Sequence, residues 1–170
     1  VTDGALEIIG EMLRFTQGGR FYGGLEQLKT FCQPQTLAAF AWDLFTAWQQ
    51  AGAPAKDNWA FLALSLFGDE STARDLTTQI LAWPQEGKSA RAVSGLNILT
   101  LMNNDMALIQ LHHISQRAKS RSLRDNAAEF LQVVAENRGL SQEELADRLV
   151  PTLGLDDPQA LIFDFGPRQF

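Results

Sequence analysis

A chain of 170 residues suits one compact domain or a run of stacked repeats sharing a continuous core. With 45% hydrophobic and 20% charged residues, the composition excludes a disordered chain, and no apolar run reaches the ~18 residues a membrane helix requires. A net charge of −6 opposes nonspecific nucleic-acid binding by the molecule as a whole, because a polyanion meets repulsion before any local contact forms. Cys32 is the single cysteine, which rules out an intrachain disulfide, fits a reducing cytoplasm and reads as small core filler. The N-terminus lacks the basic and apolar regions of an export signal.

The stretch Ala5 to Phe15 reads as a helix, and Gly18 to Gly24 as a glycine-rich connector. Leu37, Phe40, Ala41, Leu44, Phe45 and Trp48 then recur at i, i+3, i+4, i+7, i+8 and i+11, the spacing of one buried helical face. Further stripes follow in Trp59, Leu62, Ala63 and Leu66, in Ala73, Leu76, Ile80 and Trp83, and in Leu123, Ala127, Phe130, Leu131 and Val134. Punctuation falls at Gly52-Ala53-Pro54, Gly68-Asp69, Trp83 to Gly87, Asn103-Asn104-Asp105 and Gly139. Ser141 and Glu144 have capping-box spacing, with Leu140 and Leu145 placed as the hydrophobic staple and Pro151 as the stop. Leu161, Phe163 and Phe165 alternate as in a strand, and Gly166-Pro167 turns the chain toward a second one.

Ala60 to Phe67 lies over Gly95 to Met102 at an offset of 35 residues, and one more step reaches Phe130 to Arg138. A period of about 35 to 45 residues with two helices per unit is that of HEAT-like solenoids. The expected fold is therefore all-α, a HEAT-like α-solenoid of at least three stacked antiparallel helix pairs, with a short β element at the C-terminal end. Residues 1–36 are expected to form an N-terminal helix and glycine-rich connector, 37–151 the HEAT-like repeats, and 152–170 the start of a following domain with a β-hairpin. The chain reads as a segment of a longer polypeptide. Phe40, Leu44, Trp59, Leu62, Leu66, Leu76, Ile80, Leu96, Leu99, Phe130 and Leu131 are expected to be mostly buried.

The constellations that could carry chemistry resolve to structural roles. Gly18 to Gly24 is no phosphate loop, since Gly24 and Leu25 stand where Lys and Ser or Thr are needed. His112 and His113 point about 100° apart on a helix and cannot easily share a metal, and their i+4 neighbours Gln116 and Arg117 are not ligands. Ser94 sits inside a helical pattern, unlike a nucleophile elbow. Asp43, Asp57, Asp69, Glu70 and Asp105 mostly suit helix starts. Trp42, Trp48, Trp59 and Trp83 fall in or beside apolar stripes and read as core, not as base-stacking platforms. No catalytic, metal-binding or cofactor-binding residue is assigned.

The segment Gln116 to Arg124 carries four of the chain's 14 basic residues and no acid. Gln116, Arg117, Lys119, Arg121 and Arg124 are the candidates for an anion or a partner, because Arg and Lys donors across a helix end and turn suit a phosphate or an acidic protein segment. Positive charge stabilising a solvated helix C-terminus is the competing explanation.

FAWDLFTAW at 40–48, GAPAKDNWA at 52–60, ARAVSGLNIL at 90–99, ELADRLVPTLGL at 144–155 and DFGPRQF at 164–170 resemble the bacterial WGR-domain proteins described as molybdate-metabolism regulators (MolR-like). The resemblance runs from about Leu37 to the end and implies a HEAT-like helical region preceding a C-terminal domain of unknown function. It implies regulation or scaffolding; no Trp-Gly-Arg occurs in this chain, so the nucleic-acid association of the WGR module does not transfer to it. The expected function is a non-enzymatic, cytoplasmic scaffold or protein-interaction domain. Its expected partners are neighbouring domains of the same polypeptide and a protein, with no membrane. The alternatives are a nucleic-acid or polyanion-binding module using residues 117–124, and the helical part of a larger enzyme whose active site lies elsewhere.

Overall fold

The computed structural model describes residues 3–15 and 22–149. Within them all regular structure is helical: α1 (Asp3–Arg14), α2 (Gly23–Phe31), α3 (Pro34–Gln50), a 3₁₀ turn at Ala55–Asp57, α4 (Trp59–Phe67), α5 (Glu70–Ala82), α6 (Ser89–Met102), α7 (Asp105–Arg117), α8 (Arg121–Asn137) and α9 (Gln142–Leu149). The expected all-α class therefore holds for these residues. The expected strand at 161–165, its turn, and the unit at 152–170 lie outside them, as does most of the 18–24 connector. Gly23 and Gly24 open α2, a helix the sequence pattern did not single out, and only Leu25 of its residues is buried.

The expected breaks from Gly52 to Gly139 coincide with helix boundaries, the stop at Pro151 lies outside the described residues, and the chemistry of the ends is local. Asp69 caps α5 by accepting from Thr72 N at 2.9 Å, while the Thr72 hydroxyl accepts from Asp69 N at 3.3 Å. Asn104 caps α7 through Ala107 N at 2.8 Å, and Ser120 caps α8 through Leu123 N at 3.3 Å. The acids are less uniform than expected, since Asp43 lies in the middle of α3. At α9 the anticipated reciprocal cap is formed: Ser141 N donates to Glu144 Oε2 at 2.7 Å and Glu144 N donates to Ser141 Oγ at 3.1 Å.

The Ser141 backbone N–H, and after it the Ser141 hydroxyl beside the carboxyl, hold Glu144 below its usual 4.5. A depressed folded-state value means the carboxylate stabilises the helix above pH 4.5 and ceases to as the pH falls through the folded value. Glu144→Ala should accordingly lower the thermal midpoint at neutral pH, and the difference from wild type should be smaller at an acidic pH below the folded-state value. A difference that is the same at both pH values would contradict the cap's role.

The helix contacts follow a regular order. Neighbours in sequence pack as α3 with α4, α5 with α6, α6 with α7, α7 with α8, and α8 with α9, and alternate helices pack as α4 with α6, α6 with α8, α5 with α7, and α7 with α9. At the N-terminal end α1 packs on α2 and α4. The 35-residue offset corresponds to a repeated helix end: Gly68, Asn103 and Arg138 are the C-caps of α4, α6 and α8. Two of these caps touch, as Arg138 Nη2 donates to Asn103 Oδ1 at 2.6 Å.

One contiguous apolar core runs from Ile9 to Leu149. α4 is apolar on nearly every face and buries Ala60, Phe61, Ala63, Leu64, Leu66 and Phe67, as befits a helix with neighbours on several sides. Leu66, Leu76, Ile80, Leu96, Leu99 and Leu131 are buried as expected. Phe40, Leu44, Trp59, Leu62 and Phe130 are half-buried at the core's edge, while Phe45, Phe61, Leu64, Leu108 and Leu111 occupy its centre. Gly95 allows α6 to close onto α5: a Cβ there would sit 2.5 Å from Ile80 Cγ1 and 3.1 Å from Trp83 Cζ3.

Trp48 and Trp83 are core residues, joined with Phe45 and Phe61 in one aromatic cluster. Trp42 and Trp59 are half-buried at its margins. Trp48 Nε1 donates to Pro54 O at 3.0 Å, and the Arg91 guanidinium covers the rings of Trp48 and Trp83 at 5.3 and 6.0 Å.

Candidate anion-binding surface

α7 ends at Arg117, Ala118 takes extended backbone angles, and Ser120 starts α8. This tight corner decides where the basic side chains go. Ala118 is buried and its N–H still closes the last turn onto Ile114 O at 3.0 Å, so the chain cannot swing outward until Lys119. The backbone carbonyls of Ala118 and Lys119 then have no helical partner. Arg124, one turn into α8, folds back and donates through Nη1 to Ala118 O at 2.6 Å and Lys119 O at 3.3 Å. Its charge strengthens those hydrogen bonds, so Arg124 ties the corner together.

Arg121 lies beside Asp125 one turn later, Nε to Oδ2 3.7 Å, with side chains 87% and 68% exposed. A pair this open to solvent contributes little to stability and leaves the guanidinium accessible. Lys119 borders a shallow groove with Leu81, Pro84 and Ser89, formed against the α5–α6 turn.

Gln116 and Arg117 face a different cleft, of about 580 Å³, between α7 and α9. His112 and His113 line it with them, and Ile109, Ala146 and Leu149 form its apolar wall. Residues 109, 112, 113 and 116 have the i, i+3, i+4 and i+7 spacing of one helical face, which is how both histidines reach the same cleft edge despite their different directions. Among the described residues, the side chains of His112, His113, Gln116 and Arg117 make no hydrogen bond or ion pair with protein, and no carboxylate lines the cleft.

The five candidates are thus divided: Gln116 and Arg117 in the α7–α9 cleft, Lys119 in the α5–α6 groove, Arg121 beside Asp125, and Arg124 bound to backbone. The two histidines belong with the first pair. Their i+4 relation to Gln116 and Arg117 is the signal the sequence carries for this grouping. Among the described residues no group of three or more His, Cys, Asp or Glu side chains is gathered as a metal site requires. Ser94 Oγ donates to Ala90 O at 3.1 Å within α6, and Cys32 is half-buried against the core.

The chain is 97% identical over all 170 residues to an uncharacterized protein, YehI, of Escherichia coli (strain K12), and it spans 14% of that protein's length. No protein-family model matches the chain. No solved structure matches it. No helix among the described residues is long and apolar enough to cross a membrane.

Proposed function

We propose that this chain is a non-catalytic, HEAT-like α-solenoid segment that spaces neighbouring domains of a larger bacterial regulator-like protein and offers them a protein-binding surface. The observation that carries this reading is the ladder of alternate-helix contacts, α4 to α6 to α8 and α5 to α7 to α9, with helix ends recurring at 68, 103 and 138. Antiparallel helix pairs stacked side by side produce such a ladder, because each pair buries its apolar face against the pairs on either side. In this reading residues 37–151 are the repeats, and 152–170 begin a following domain with a β-hairpin.

The chain's 14% share of its E. coli relative supports a role among domains of the same polypeptide. The resemblance to WGR-domain, MolR-like proteins supports a cytoplasmic, regulatory setting for that polypeptide. A fold of this kind serves many functions, so the role rests on its place between domains. The polyanion reading has less support, since Arg124 is engaged with backbone and Arg117 and Lys119 line different recesses.

The test uses the longer protein. Replacing residues 37–149 with a Gly/Ser linker of equal span should abolish the fixed spacing of the flanking parts, read as a broadened small-angle scattering profile and lost cross-links between them. Unchanged scattering and cross-links after that replacement would overturn the scaffold reading.

A further inference from the structure

We infer that the α7–α9 cleft is a binding site for a small organic phosphomonoester, a dianionic head carried on an apolar body. The head is selected by four donors on one helical face. His112 with Gln116 and His113 with Arg117 are i, i+4 pairs, so their side chains sit about 5 to 6 Å apart at the Cβ level, the scale of a tetrahedral oxyanion with several oxygens to satisfy. Arg117 supplies the planar fork that phosphate oxygens accept from two nitrogens. The acids of α9 stand apart from this lining: Glu144 is engaged by Ser141, and Glu143 and Asp147 are exposed outside the cleft. Among the described residues the lining holds the Arg117 cation and no carboxylate, a local contrast with the chain's net charge of −6.

The body follows from the opposite wall. Ile109, Ala146 and Leu149 present apolar surface, and about 580 Å³ is far more room than a bare phosphate fills. A phosphate without an apolar group leaves that wall wet, and an apolar molecule without a phosphate leaves the donors to water and gains nothing from them.

Beside the chain's net negative charge, one local force opposes the site. It borders the last turn of α7, whose carbonyl end disfavours an anion by less than about fivefold in affinity. A single charge-assisted hydrogen bond from Arg117 is worth about tenfold or more, so the donors prevail.

The experiment titrates the 170-residue chain with phenyl phosphate, inorganic phosphate and phenol, followed by calorimetry and by amide chemical shifts. Phenyl phosphate should saturate with shifts centred on His112, His113, Arg117 and Ala146, inorganic phosphate should bind more weakly, and phenol should not saturate. Arg117→Gln should weaken phenyl phosphate by about tenfold or more, and His113→Ala should also weaken it, whereas Lys119→Gln in the separate groove should leave it unchanged. Circular dichroism of these exposed-site variants should match wild type. The site is overturned by an absence of saturable phenyl phosphate binding up to about 10 mM. Equal losses in Arg117→Gln and Lys119→Gln, which mark diffuse attraction, overturn it too, as does phenol binding as tightly as phenyl phosphate, which marks an apolar patch alone.

Discussion

Phe61→Ala should destabilise the chain by about 3 to 5 kcal/mol, the cost of truncating a fully packed aromatic ring. Phe61 is 1% exposed and lies 4.9 Å from the Phe45 ring and 5.5 Å from the Trp48 ring, both near-parallel, with Trp83 edge-on at 6.0 Å. The size of the loss depends on whether the surrounding rings can collapse into the space. They are held: Trp48 is fixed by its hydrogen bond to Pro54 O, and Arg91 sits across Trp48 and Trp83. The cavity should therefore persist, placing the variant toward the upper part of the range. Urea denaturation followed by tryptophan fluorescence measures this directly, and a loss below about 1 kcal/mol would mean the cluster repacks.

Leu131→Ala and Leu62→Ala should separate clearly, although the apolar spacing alone ranks them together. Leu131 is 2% exposed on α8, a helix packed against α6, α7 and α9, so its truncation removes about 2 to 5 kcal/mol. Leu62 is half-buried at the edge of the core, and solvent and neighbours can fill the space it leaves. Its truncation should cost about 1 kcal/mol, roughly half the transfer free energy of the side chain. Paired denaturant melts showing equal losses would refute the burial difference.

Much of the fold is legible in the residues because its signals are local. Gly68-Asp69, Asn103-Asn104 and Ser141 with Glu144 mark helix ends through hydrogen bonds that reach only three residues along the chain. The 35-residue offset is legible for the same reason, since it repeats a helix end and the start that follows. The phase of α4 was harder to read: in WAFLALSLF nearly every position is apolar, so Trp59-Leu62-Ala63-Leu66 and Phe61-Leu64 are both plausible stripes. Packing against α1, α3 and α6 decides between them. α2 was hidden because two glycines at its start read as a connector, and its inward face offers only Leu25 as a buried residue.

The basic segment shows the opposite limit. Its charges are adjacent in sequence, yet a corner of three residues between α7 and α8 sends them in different directions, and unpaired carbonyls at that corner engage Arg124. The histidines joined Gln116 and Arg117 only when α9 was laid across α7 to make a cleft, a contact between segments some thirty residues apart. Spacing along one helix marks a face; it does not say what another helix brings to it.

The order of helix contacts also bears on how the chain acquires its structure. The principal contacts join helices at most three apart in the sequence, so little loop-closure entropy has to be lost before packing begins to compensate. Chains dominated by such near-neighbour contacts fold quickly, and they also open piecewise. Slow amide exchange should therefore be concentrated in α4, α6, α7 and α8, each packed against three or more other helices, and be weakest in α2, which buries only Leu25, so that one part of the chain can loosen and redock while another stays intact.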